Sequence, residues 1–143
     1  MASPMSIFYD TTGLLKPASI TKFNTAATEM LAMSPQIMHI ANLCDHASQR
    51  LGPQAPFLKT WETISISQSQ RATLFDRTCA HWKSLEADLD VSNEAKVNEW
   101  KSAFDVAAET FSVWVGRQRE VMERGDVRRY VAEEEAAVAA ERK

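Results

Sequence analysis

Residues 97–122 read VNEWKSAFDVAAETFSVWVGRQREVM. Val97, Trp100, Phe104, Ala107, Ala108, Phe111, Val115 and Met122 recur at three- and four-residue steps, the period of one helix face. At 100° per residue, Ala103, Val106, Val113, Trp114 and Val121 fall on much of the opposite side. A helix that is apolar on two sides must be buried on two sides. One bundle core covers one side; the other needs an N-terminal arm or another subunit. The stretch therefore predicts an all-α protein that self-associates through Val106, Val113, Trp114 and Val121.

Upstream, the pattern stays helical. Ile20, Phe23, Ala27, Met30 and Leu31 place a helix over 19–33. Ser34-Pro35 has the form of an N-cap and first helical position, so a second helix is expected from there. It carries Ile37, Ile40, Ala41, Cys44 and Leu51, and Gly52-Pro53 stops it. A third helix opens near Pro56 and reaches Leu89. Its path through Phe57, Trp61, Ile64, Phe75, Trp82, Leu85 and Leu89 is interrupted by Gln68 and Arg71. The run Ser65–Arg71 is expected to be a kink or loop. Asp90-Val-Ser-Asn93 is the next break.

The expected fold is a four-helix bundle with an extended C-terminal helix and an irregular N-terminal arm. Its parts are an arm over 1–18, a bundle over 19–124 and a helical extension over 125–143. Gly125-Asp126 marks the last junction, with Asp126 as the new N-cap. Apolar Ile7, Phe8, Tyr9, Leu14 and Leu15 would make the arm sticky unless it docks.

The chain has 143 residues, a size at which one core suffices without staples. The net charge of −3 argues against a general nucleic-acid sink. Cys44 and Cys79 are the two cysteines, a usage that suits a reducing compartment. The N-terminus lacks the basic and apolar regions of a signal peptide. No apolar run approaches the roughly 20 residues that span a bilayer. A soluble, intracellular, cytoplasmic protein is expected.

Catalytic patterns are missing. There is no G-x-x-x-x-G-K loop and no G-x-S-x-G elbow. His39, His46 and His81 have no carboxylate at helical spacing, and paired E-x-x-H motifs are absent. Cys44-Asp-His46 and Cys79-Ala-His81 repeat C-x-H, but residues two apart on a helix face different ways. No metal, cofactor or enzymatic activity is expected.

Arginines crowd Arg117, Arg119, Arg124, Arg128 and Arg129. Guanidinium forks match phosphate bidentately. They also form ordinary surface pairs with Glu120, Glu123, Asp126 or the acidic tail. Both readings stand at this point.

Several pieces fall in a familiar order. Ser34-Pro35 precedes a helix with Asn42-Leu43-Cys44, closing at Leu51-Gly52. Ser69-Gln70-Arg71-Ala72-Thr73 leads to Trp82-Lys83. Gly116-Arg117-Gln118-Arg119 and Asp126-Val127-Arg128-Arg129 follow. In this order the chain resembles the tobamovirus-type coat proteins of rod-shaped plant viruses, although the spacing between pieces differs. The resemblance implies a four-helix bundle, a homo-oligomer packaging single-stranded RNA, and a virion location. It implies that Arg117, Arg119, Arg128 and Arg129 line the RNA. The other reading is a phasin-like bundle or adaptor that coats a hydrophobic surface or docks a partner protein, without nucleic acid.

Overall fold

The computed structural model describes residues 14–142. Four helices pack into an all-α bundle: α1 Pro17–Leu51, α2 Pro56–Ala87, α3 Glu94–Glu123 and α4 Gly125–Glu141. Among the described residues there is no strand.

Each long helix keeps a seam of alternating three- and four-residue steps. In α1 it runs Phe23, Ala26, Met30, Met33, Ile37, Ile40, Cys44, Ala47. In α2 it runs Phe57, Trp61, Ile64, Gln68, Arg71, Phe75, Thr78, Trp82, Leu85. In α3 it runs Val97, Trp100, Phe104, Ala107, Phe111, Trp114, Gln118, Val121. None of these residues is exposed. Such a seven-residue repeat keeps one face turned to its neighbours along the whole helix.

Two expected breaks are continuous helix. Ser34-Pro35 does not start a new helix; Pro35 lies inside α1. Proline there removes one backbone donor. It sits on the exposed side of α1, off the seam, and Ser34 Oγ donates to the Met30 carbonyl at 2.9 Å. The seam on both sides of Pro35 holds the helix through. Ser65–Arg71 is likewise helical, within α2. Gln68 and Arg71 occupy seam positions there, so they do not interrupt the period.

The other breaks form as the residues dictate. Gly52 closes α1 at φ +86°, a conformation that a side chain disfavours, and its N–H donates to the Ser48 carbonyl at 2.8 Å. Pro17 and Pro56 stand at first helical positions. Ser92 donates its backbone N–H and its hydroxyl to Asp90 Oδ1, at 3.0 and 2.6 Å. Asn93 then caps α3, its side-chain oxygen accepting the Lys96 N–H at 3.2 Å.

At the last junction Arg124, not Asp126, is the N-cap residue. Its backbone is extended (φ −62°, ψ 134°), and α4 begins at Gly125. Asp126 lies two residues past the cap position, inside the helix. Its carboxylate instead accepts the Val127 N–H at 2.9 Å and both forks of Arg124 at 3.0 and 2.7 Å.

The described residues pack as two compact units. One comprises 14–27 with Arg71–Trp114, the other Thr28–Gln70 with 115–142. The first has Leu15, Trp82, Trp100, Ala103, Phe104 and Ala108 at its centre, with Leu14, Ile20 and Phe23 packed against them. The docking expected of Leu14 and Leu15 is thus present; Ile7, Phe8 and Tyr9 lie outside the described residues. Phe23 has rings of Phe75, Phe104 and Phe111 within 6.2 Å centroid to centroid. Ser19 Oγ donates to Asp105 at 2.6 Å, fixing the start of α1 to α3.

The second unit centres on Ile40, Leu43, Cys44, Ala47, Phe57, Ile64, Val127 and Val131. Val127 and Val131 make α4 part of this core. The Phe57 and Tyr130 rings stack at 5.3 Å.

Candidate functional site

The arginines of 117–129 are all exposed, and each has its own partner. Arg117 donates to Glu120 at 3.0 Å, one helical turn on. Arg119 reaches Glu29 on α1 at 2.7 Å. Arg124 holds Asp126 with both forks. Arg128 Nε donates to the Met122 carbonyl at 3.4 Å, one of the last four carbonyls of α3 that have no intrahelical donor. Arg129 stands 4.0 Å from Glu133, and its guanidinium lies 5.0 Å from the Tyr130 ring centroid. Exposed pairs of this kind are worth about 0–1 kcal/mol. A phosphate can therefore displace the carboxylates at little cost. Arg119–Glu29 is the pair that the sequence could not show, because its partners are 90 positions apart.

The second apolar stripe of α3 divides. Val106 and Val113 are outward, 53% and 42% exposed. Trp114 is half-buried, with Phe75 and Phe111 each at 5.9 Å. Val121 packs against the core that holds Ile40 and Val127. Ala103 is buried beside Trp82 and Trp100. The bundle thus covers three of the five from within. Val106 also lines an open groove of about 540 Å³ with Arg77, His81, Glu99 and Ser102.

Other apolar side chains face outward too, among them Leu31 and Leu51, which the helical period alone would place with Phe23 and Ile40. Leu31 is 74% exposed and Met38 64%. Both lie opposite Ile40 once α1 is one helix, because nine residues turn through half a circle and two through nearly as much. Leu51 ends α1 and is exposed as well, as are Ile66 and Leu74 on α2.

A second polar cluster forms within the unit that holds α4. Glu134 is buried, and His46 Nδ1 lies 2.8 Å from its carboxylate. The other ring nitrogen lies 2.9 Å from Glu141. Arg50 also hydrogen-bonds Glu134 through Nη2 and, at 3.5 Å, through Nε. His39 and Glu135 make a looser exposed pair at 3.6 Å. His39 and His46 thus do have carboxylate partners. The partners come from α4, about ninety residues away, where no local spacing rule reaches.

These contacts set the charges. Hydrogen bonds that the ring donates to Glu134 and then to Glu141 raise the His46 pKa above the usual imidazole range. Burial pushes the Glu134 carboxyl up, but Arg50 and His46 outweigh it and leave it below the usual carboxylate range. Burial, with Asp45 and Glu134 adding to it, drives the Cys44 thiol up to about 12. Burial raises the Cys79 thiol too. Both sulfurs are therefore poor nucleophiles at neutral pH. Among the described residues no three His, Cys, Asp or Glu side chains stand where they could hold a metal ion. No described helix is long and apolar enough to cross a membrane.

Comparison with protein-family models, with curated proteins and with solved structures found no match.

Proposed function

We propose that this chain is a non-enzymatic assembly subunit, a helical bundle that associates with copies of itself and packages single-stranded RNA as a viral coat protein does. The observation that carries the reading is the set of large apolar side chains left outward on three helices: Leu31 and Met38, Ile66 and Leu74, Val106 and Val113. Leu31 with Met38 and Val106 with Val113 are seven residues apart, so each of these pairs makes a short apolar line on its helix. A chain with several different adhesive lines joins its copies head to tail, the arrangement that grows rings or filaments. The exposed arginines at Arg117, Arg119, Arg128 and Arg129 then repeat once per copy, and a strand of phosphates can track from one copy to the next. On this reading the protein belongs to the cytoplasm and the virion.

Sedimentation at micromolar concentrations tests the reading. The wild type is expected as an oligomer. Val106→Asp with Val113→Asp is expected to shift it toward a species of 16.0 kDa while helicity is retained. A wild type that stays monomeric at every concentration defeats the reading.

A second reading draws on the ion pairs. Since each arginine has a partner within the bundle, the cluster can serve as solvated pairs. The apolar lines would then coat a hydrophobic surface or seat a partner protein's helix, without RNA.

A further inference from the structure

His46 is held on both sides. Glu134 meets one ring nitrogen at 2.8 Å and Glu141 meets the other at 2.9 Å. Carboxylates accept and do not donate, so both contacts are hydrogen bonds only when the ring carries two protons. A neutral ring has one N–H and one lone pair. One carboxylate must then face that lone pair across a hydrogen-bond distance, and the contact becomes repulsive.

The two carboxylates differ in freedom. Glu134 is 3% exposed and is held by Arg50 as well, a pair that does not need the His46 proton. Glu141 is 60% exposed and is the last residue of α4. A negative side chain at a helix C-terminus also opposes the helix dipole, so Glu141 depends on the cation beside it. Glu141 is therefore the partner that leaves.

We propose that His46 is a pH-sensitive clasp: with two ring protons it fastens the final turn of α4 to α1, and on losing one it releases that turn while Glu134 and Arg50 keep the rest of α4 seated. The surrounding charges do not duplicate this function. On its own helix His46 has Asp45 beside it and Arg50 one turn away, and the buried Cys44 stays a neutral thiol. On α4, Glu133 acts on Arg50, and Glu135 pairs with His39. The α2 and α3 residues in the same core, among them Phe57, Ile64, Val121 and Met122, carry no charge.

The pH window follows from the two shifts. The raised His46 contributes fully below an ordinary histidine pKa of about 6.5, and its contribution is lost as pH rises through its higher folded value. The lowered Glu134 contributes fully above an ordinary value of about 4.3, and its contribution is lost as pH falls through its lower folded value. The clasp is closed between those limits and opens on the alkaline side.

Hydrogen-exchange protection of the amides of 138–141, measured across the NMR titration of the His46 ring, tests it. Protection is expected to fall severalfold as the ring deprotonates. In Glu141→Gln the step is expected to vanish and the ring to titrate at lower pH; in His39→Gln both are expected to persist. Both replaced side chains are exposed, so neither variant threatens the fold. Protection that stays flat through the titration, or a step of equal size in Glu141→Gln, overturns the clasp.

Discussion

Gln68 donates its amide N–H to the side-chain oxygen of Gln118 at 2.6 Å. Gln118 is 5% exposed, and its own amide turns toward the sulfur of Met122 at 3.6 Å. Two amides thus fill seam positions, Gln118 between Trp114 and Val121 on α3 and Gln68 between Ile64 and Arg71 on α2. Gln118→Leu strands the Gln68 amide and is expected to cost about 1–3 kcal/mol. The double change Gln68→Leu with Gln118→Leu removes both partners and is expected to recover most of that loss. Urea denaturation of the three proteins checks the order.

Pro35 gives an opposite expectation. A proline inside a helix costs up to about 3 kcal/mol relative to alanine, partly offset by the stiffness it gives the unfolded chain. Pro35 is exposed and lies off the seam. Pro35→Ala is expected to raise stability by about 1–2 kcal/mol by the same balance. A lowered thermal midpoint would show that the proline is needed by the native packing.

Trp100 is fully buried, its ring 5.9 Å from that of Trp82, yet its indole N–H has no hydrogen-bond partner among the described residues. Trp100→Ala is expected to cost about 3–5 kcal/mol through the cavity it leaves. Trp100→Phe keeps a ring and removes the unpaired donor, so a cost of about 1–2 kcal/mol is expected. Chemical denaturation monitored by circular dichroism separates the two values.

Arg117 and Arg119 test the RNA proposal. Replacing both by Gln breaks two exposed pairs, so stability should change by less than about 1 kcal/mol. If they bind phosphate, filter binding to single-stranded RNA should weaken, and its salt slope should drop by about 0.7 for each phosphate that is no longer neutralised. Unchanged binding by the double variant would assign the arginines to surface pairing.

The all-α class and the stops at Gly52 and Asp90–Asn93 were legible in the sequence, and the seams only in part: Gln68 and Arg71 look like interruptions on α2, and Trp114 and Val121 look like a second stripe on α3 although they share a seam with Trp100 and Phe104. The seam of α1 was present too, at Phe23, Ala26, Met30, Met33, Ile37, Ile40, Cys44 and Ala47, but Ser34-Pro35 carries a start signal that obscured it. Local chemistry favoured a break there; eight residues packed in one register outweigh one missing donor. The same misreading placed Leu31 inside, since its outward direction follows only from a continuous helix. Gln68 illustrates a related limit: a polar residue at an apolar period looks like an interruption until its partner, fifty residues on, is known. The exposed arginines were legible as a cluster. His46 was not legible as anything, because Glu134 and Glu141 reach it only once α4 has folded back onto α1.

Arg124 has a consequence for proteases. Of the arginines and lysines between Pro17 and Glu141, it is the one residue outside a helix, and its backbone is already extended. A trypsin-like enzyme must draw its substrate into an extended strand, which every helical basic residue resists. The first cut within this span is therefore expected after Arg124, ahead of Arg117, Arg119, Arg128 and Arg129. The severed α4 would stay seated through Val127, Val131 and Glu134, so a nicked protein should run whole on a sizing column and as two pieces in denaturant.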